Sequence, residues 1–149
     1  MSNIILRLKM FIYIVGIAFI LNFVWENMQA PLYMGYIDFW QHLPICFIAT
    51  LGDVAIILFI FGCFALVYRN FYWLNNMNAI KIMILAILGA IISVVIEIFA
   101  LNTGRWAYAD AMPTINSIGV LPILQMVIIL PLTFYLTSKF ISDKIKLSR

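Results

Sequence analysis

Four runs of apolar residues dominate this chain, at roughly 10–30, 44–68, 79–101 and 117–138, and each reaches the length of about 20 residues that an α-helix needs to cross a bilayer. With 66% of its 149 residues hydrophobic, 10% charged and a mean hydropathy of +1.10, the chain has no stretch left for a soluble domain. The expected fold is all-α: a polytopic membrane four-helix bundle forming one domain over residues 1–149. The first run has the basic start and apolar stretch of a secretory signal. No small-residue cleavage site follows it, and the run continues to Trp25 and Glu26, so a retained helix is expected.

The basic residues set the expected orientation. Arg7 and Lys9 precede the first run, Arg69 and Lys81 flank the connection between the second and third, and Lys139, Lys144, Lys146 and Arg149 follow the fourth. Only Arg105 lies on the other side. The positive-inside rule then places both termini in the cytoplasm, with the loops at 31–43 and 102–116 facing outward. The net charge of +3 reflects this topology and gives no reason to expect nucleic acid as a partner. Cys46 and Cys63 fall in the same run, about 25 Å apart at 1.5 Å per helical residue, too far for a mutual disulfide.

Against this apolar background the polar residues stand out. A carboxylate in hydrocarbon costs about 2.5–3.5 kcal/mol on insertion scales, so an intramembrane acid implies either a buried partner or a functional site. Asn22, Glu26 and Gln29 recur at i, i+4 and i+7 and share one helical face before Pro31 ends the helix. They can act as glue between helices or line a site, with Trp25 and Tyr33 as interfacial aromatics. In the second run His42, Cys46, Thr50 and Asp53 form a similar stripe, preceded by the interfacial aromatics Tyr36, Phe39 and Trp40. His42 is the only histidine, and Asp53 is the deepest ionisable group, roughly 15 Å below the end of that run. A protonated Asp53 hydrogen-bonded between helices is one reading; a direct role in chemistry is the other. In the third run Gly89, Ser93 and Glu97 make a small-residue seam leading to a carboxylate, which should face the bundle.

The loop after Glu97 carries Gly104, Arg105, Trp106 and Tyr108. Arg105 can snorkel to lipid phosphate, pair with Glu97 or Glu26, or clamp an anionic headgroup through its planar fork. Gln125 lies one turn into the fourth run, which Pro131 interrupts. A compact bundle would gather Glu26, His42, Glu97, Arg105, Trp106, Tyr108 and Gln125 at one depth, with Asp53 beneath. Carboxyls at similar depth drive one another's titration apart, which suits acid–base work. Metal-ligand spacings such as HxxxH and ExxH do not occur, no serine-nucleophile motif is present, and neither a metal nor a cofactor is expected.

The set WENMQAPLY, TLGD, a third-run Glu followed by GRWAYADAMP, and LPILQ resembles a family of small bacterial four-span membrane proteins. The resemblance covers most of the chain and implies fold and location rather than activity. Intramembrane carboxylates beside tryptophan are similar, much more loosely, to lycopene-cyclase-type membrane domains and sterol-isomerase-like bundles. The adjacent acids expected of the cyclases are missing here, so no catalytic residue carries over from them.

Three functions fit these residues. The first is a small protein of the bacterial inner membrane that performs acid–base chemistry on, or binds, a lipid or isoprenoid near the outer leaflet. Glu97 and Glu26 would be its acid–base pair, with His42 and Asp53 as further catalytic candidates. Arg105, Trp106, Tyr108, Trp25, Gln29 and Gln125 are its candidate substrate-binding residues. The second function is a small proton- or ion-coupled transporter, and the third an accessory or assembly subunit of a membrane complex. The expected partners are membrane lipids, a second copy of the chain, or another membrane protein.

Overall fold

The computed structural model describes residues 3–147, with the side chains of residues 4–141. Four long helices carry the fold: α1 (Asn3–Gln29), α2 (Phe39–Val67), α3 (Ala79–Asn102) and α4 (Val120–Leu147). Each is long and apolar enough to cross a membrane. The side chains of Asp143, Lys144 and Lys146, and the whole of Arg149, on which part of the charge argument rests, lie outside the described residues.

Helix α1 begins at Asn3, ahead of the hydrophobic run, and two further helix starts differ from the runs for local reasons. Helix α2 begins at Phe39 rather than at 44 because Asp38 caps it: its carboxylate accepts from the Gln41 backbone N–H at 2.9 Å and from Gln41 Nε2 at 2.8 Å. Phe39 and Trp40 therefore belong to its first turn instead of a separate interfacial stretch. Helix α4 begins at Val120, because residues 114–119 form a hairpin. Strand β1 (Thr114–Ile115) pairs antiparallel with β2 (Ile118–Gly119). The two turn residues between them, Asn116 and Ser117, both have positive φ, 50° and 65°. That is the geometry of a type I′ turn, whose twist matches that of the paired strands.

The helices pack in the order α2–α1–α4–α3, and α2 and α3, at the two ends of this row, do not form a packed pair. The closest packing is between α3 and α4. A Cβ on Gly89 would stand 2.6 Å from the Met126 carbonyl oxygen, so only glycine lets the two backbones approach this far. One turn on, the Ser93 hydroxyl donates to the Pro122 carbonyl at 2.9 Å. The apolar core, including Met10, Ile14, Ile57, Phe61, Trp73, Leu130 and Phe134, fills the half of the bundle nearest the 68–78 connection. Outward-facing residues such as Ile20, Ile48, Phe59, Ile87 and Val95 are exposed and apolar, as lipid-facing positions must be.

At the opposite end the two long loops are stitched together. Tyr33 and Tyr108 form an antiparallel β-bridge. Met34 N–H donates to the Ala107 carbonyl, and Ala109 N–H to the Leu32 carbonyl, each at 2.9 Å. This bridged end roofs the polar half of the bundle.

Candidate functional site

The polar stripe on α1 is the foundation of the site. Asn22, Glu26 and Gln29 all point toward α4, where Gln125 meets them. Gln125 Nε2 lies 3.0 Å from Asn22 Oδ1, 2.9 Å from Glu26 Oε1 and 2.8 Å from Asp53 Oδ2. Its own carbonyl accepts from Gln29 Nε2 at 2.9 Å, and Gln29 also donates to Glu26 Oε1 at 3.0 Å. One amide therefore ties α1, α2 and α4 together. Asn22 turns its own amide to the Ala18 carbonyl at 2.8 Å, which leaves its oxygen free to accept.

The carboxyls of Glu26 and Asp53 thus converge on one nitrogen, 2.9 and 2.8 Å from it. Like charges brought this near repel, so one proton held between the two groups would relieve the contact. Residue counting placed Asp53 well beneath Glu26, yet the side chains meet. A helical Cβ leans toward its helix N-terminus. Because α1 and α2 run in opposite directions, Glu26 reaches inward while Asp53 reaches back toward the bridged end.

Glu97 has a separate set of partners. Its Oε2 accepts from Trp106 Nε1 at 3.2 Å and from the Tyr108 hydroxyl. The Tyr108 oxygen in turn accepts from the Gly119 N–H at 3.0 Å, and a Cβ on residue 119 would press on the Tyr108 ring at 3.0–3.1 Å. The hairpin thus fixes Tyr108, and Tyr108 with Trp106 fixes Glu97. Burial, together with the bond to Glu97, pushes the Tyr108 phenol up to about 12, so it stays a proton donor to the carboxylate.

Between the Glu26–Asp53 pair and Glu97 lies a cavity of about 580 Å³, within the size range of ligand sites. Glu26, Gln29, His42, Asp53, Glu97, Arg105, Trp106 and Gln125 all line it, on the side where α2 and α3 leave a gap. Glu26 and Glu97 line the same cavity, Glu26 sharing the Gln125 amide with Asp53 and Glu97 held by Trp106 and Tyr108. Arg105 is not paired with either glutamate: its guanidinium lies 5.5 Å from the Phe99 ring centre, on an exposed side chain. The His42 ring stands against Tyr36 at 5.3 Å. Trp25 lies outside the lining and donates its indole N–H to Gln29 Oε1 at 3.1 Å, so it positions a wall residue. Tyr108 likewise acts from behind, through Glu97.

Among the lining residues not singled out for the site from the residue pattern, Tyr33 and Cys46 carry ionisable groups. Tyr33 reads as an interfacial aromatic, but the loop bridge folds it over the cavity. Burial and the nearby Glu97 and Glu26 charges push its phenol well above the ordinary tyrosine range, which keeps its hydroxyl protonated. Cys46 reads as packing; it is buried, and its thiol lies 3.7 Å from the Glu26 carbonyl. The shared face of His42, Cys46 and Asp53 was the available signal for it. Among the described residues no three His, Cys, Asp or Glu side chains are grouped to hold a metal ion.

The arrangement places two carboxyls joined through Gln125 on one wall, a carboxylate with one occupied oxygen on the other, and an apolar side opening between them. Carboxyls so placed have the chemistry to give and take protons. Compared with family models, with curated proteins and with solved structures, the chain finds no match.

Proposed function

We propose that this is a small protein of the bacterial inner membrane that takes a lipid or isoprenoid into the cavity between α2 and α3 and performs proton transfer on it. Both termini lie in the cytoplasm, and the bridged end faces outward, following the basic residues Arg7, Lys9, Arg69, Lys81 and Lys139. Glu26 and Asp53 exchange the proton, Gln125 and Gln29 hold that pair in register, and Glu97 on the far wall is the second carboxyl to face the reacting group. Arg105 at the mouth meets an anionic or polar headgroup.

The observation that carries this reading is the convergence of Glu26 and Asp53 on the Gln125 amide, on the wall of a cavity that opens between two helices that do not form a packed pair. Access is from the side. Passage through the bundle is less well supported, because Ile57, Ile60, Leu130 and Phe134 fill the half that a transported proton or ion would still have to cross.

The test is lipid analysis of membranes carrying the wild type, Glu26→Gln and Asp53→Asn at equal abundance, with mass spectrometry of lipid retained by each purified protein. The reading expects a retained species or a compositional change that both variants abolish. Identical lipid profiles in all three would sink it, and a Glu26-dependent ion flux in liposomes would replace it with transport.

A further inference from the structure

The charges facing the cavity are out of balance. Glu26, Asp53 and Glu97 all line it. Among the described residues, the hydrogen-bond partners of these three carboxyls are two amides, an indole and a phenol. None is a cation. A proton held between Glu26 and Asp53 would offset one of the charges these groups can carry and leave the others without a counter-charge. Arg105 stands at the rim with its guanidinium over Phe99, and the His42 ring lies tilted against Tyr36.

Glu97 has one oxygen free to meet an occupant. The residue is 4% exposed, and both of its donors, Trp106 and Tyr108, go to Oε2. No donor among the described residues reaches Oε1, and that atom is not one of the fully buried, unpartnered ones, so it stays open on a residue that lines the cavity. A donor or cation placed there would meet a free acceptor. The rings of Tyr33 and Trp106 belong to the same wall, and aromatic faces attract cations. Further along, Ile48, Ile56 and Ile96 provide an apolar surface.

We propose that the cavity binds a lipophilic cation, an amphiphile whose protonated or quaternary nitrogen rests against Glu97 and the Tyr33 and Trp106 rings while its apolar part lies along Ile48, Ile56 and Ile96. The proposal rests on the cavity being a ligand site reached from the bilayer, and adds the charge of the ligand.

Tetraphenylphosphonium and tetraphenylborate have the same shape and opposite charge, so titrating each calorimetrically into the purified protein, against empty micelles, isolates the charge. The phosphonium is expected to bind at least tenfold more tightly than the borate. Glu97→Gln should weaken phosphonium binding at least tenfold, and Arg105→Gln, which removes a like charge from the rim, should tighten it. Glu97→Asp, which keeps the charge on a shorter side chain, should retain more affinity than Glu97→Gln. Equal binding of the two ions, or equal losses in the two Glu97 variants, would overturn the proposal. A neutral or anionic lipid retained through Glu26 and Asp53, with the phosphonium excluded, would remove the cation and leave the lipid site standing.

Discussion

The Gln125 amide has two N–H bonds and three acceptors within 3.0 Å, on Asn22, Glu26 and Asp53. At any moment one acceptor goes without. Gln125→Leu removes this donor and leaves buried oxygens unsatisfied, at about 1–3 kcal/mol for each group left without a partner. A lowered thermal midpoint in detergent, larger than for Gln29→Leu because Gln29 touches fewer elements, is the expected outcome. Tyr108 offers a pH test. Its phenol titrates at about 12 in the fold against 10.0 in an unfolded chain, so between those values the unfolded state has released its proton first. Stability from this contact is therefore complete below pH 10 and falls as pH rises to about 12. Thermal midpoints should drop more steeply over that window in the wild type than in Tyr108→Phe. At this scale the stripe of Asn22, Glu26 and Gln29 was legible from its spacing, whereas the meeting of Glu26 and Asp53 on the Gln125 amide was not. Residue counting measures the heights of Cα atoms, and side chains leaning toward each other from antiparallel helices, with Gln125 between them, cover the difference.

Helices α3 and α4 owe their closeness to Gly89, and that seam was visible in the spacing of Gly89, Ser93 and Glu97. Gly89→Ala places a methyl group 2.6 Å from the Met126 carbonyl oxygen, and backbone cannot swing aside as a side chain can. Overpacking of this kind costs about 1–3 kcal/mol. The expected result is a lower thermal midpoint together with a weakened Glu97 site, since Glu97 lies two turns further along the same face. Gly52 has nothing within 4 Å of a built Cβ, so Gly52→Ala serves as the matched control and should leave the midpoint unchanged. The hairpin at 114–119 was illegible for a different reason. Its strands are two residues long, its turn is Asn116-Ser117 rather than a glycine-containing pair, and Ile118 and Gly119 read as the first residues of an apolar run. Only the pairing itself, by forcing positive φ at both turn residues, separates this element from the helix that follows.

For the whole molecule, the number and approximate extent of the spanning helices followed from hydropathy alone, but their order in space did not. Four antiparallel helices can close into a ring, and these instead form a row whose end members, α2 and α3, stay apart. Ile48 of α2, 69% exposed and on the cavity rim, reports on this arrangement. A nitroxide attached at Ile48→Cys in liposomes should relax strongly with oxygen dissolved in the lipid and weakly with a water-soluble nickel chelate. Strong nickel relaxation would mean that the gap is filled with water. An open flank toward hydrocarbon changes how binding here has to be measured. The reservoir for an occupant is the two-dimensional lipid phase, where even a sparse amphiphile is concentrated, so occupancy follows its mole fraction among the lipids rather than its molarity in the buffer. Diluting such an amphiphile with inert lipid at constant aqueous concentration should empty the protein, and adding buffer should not.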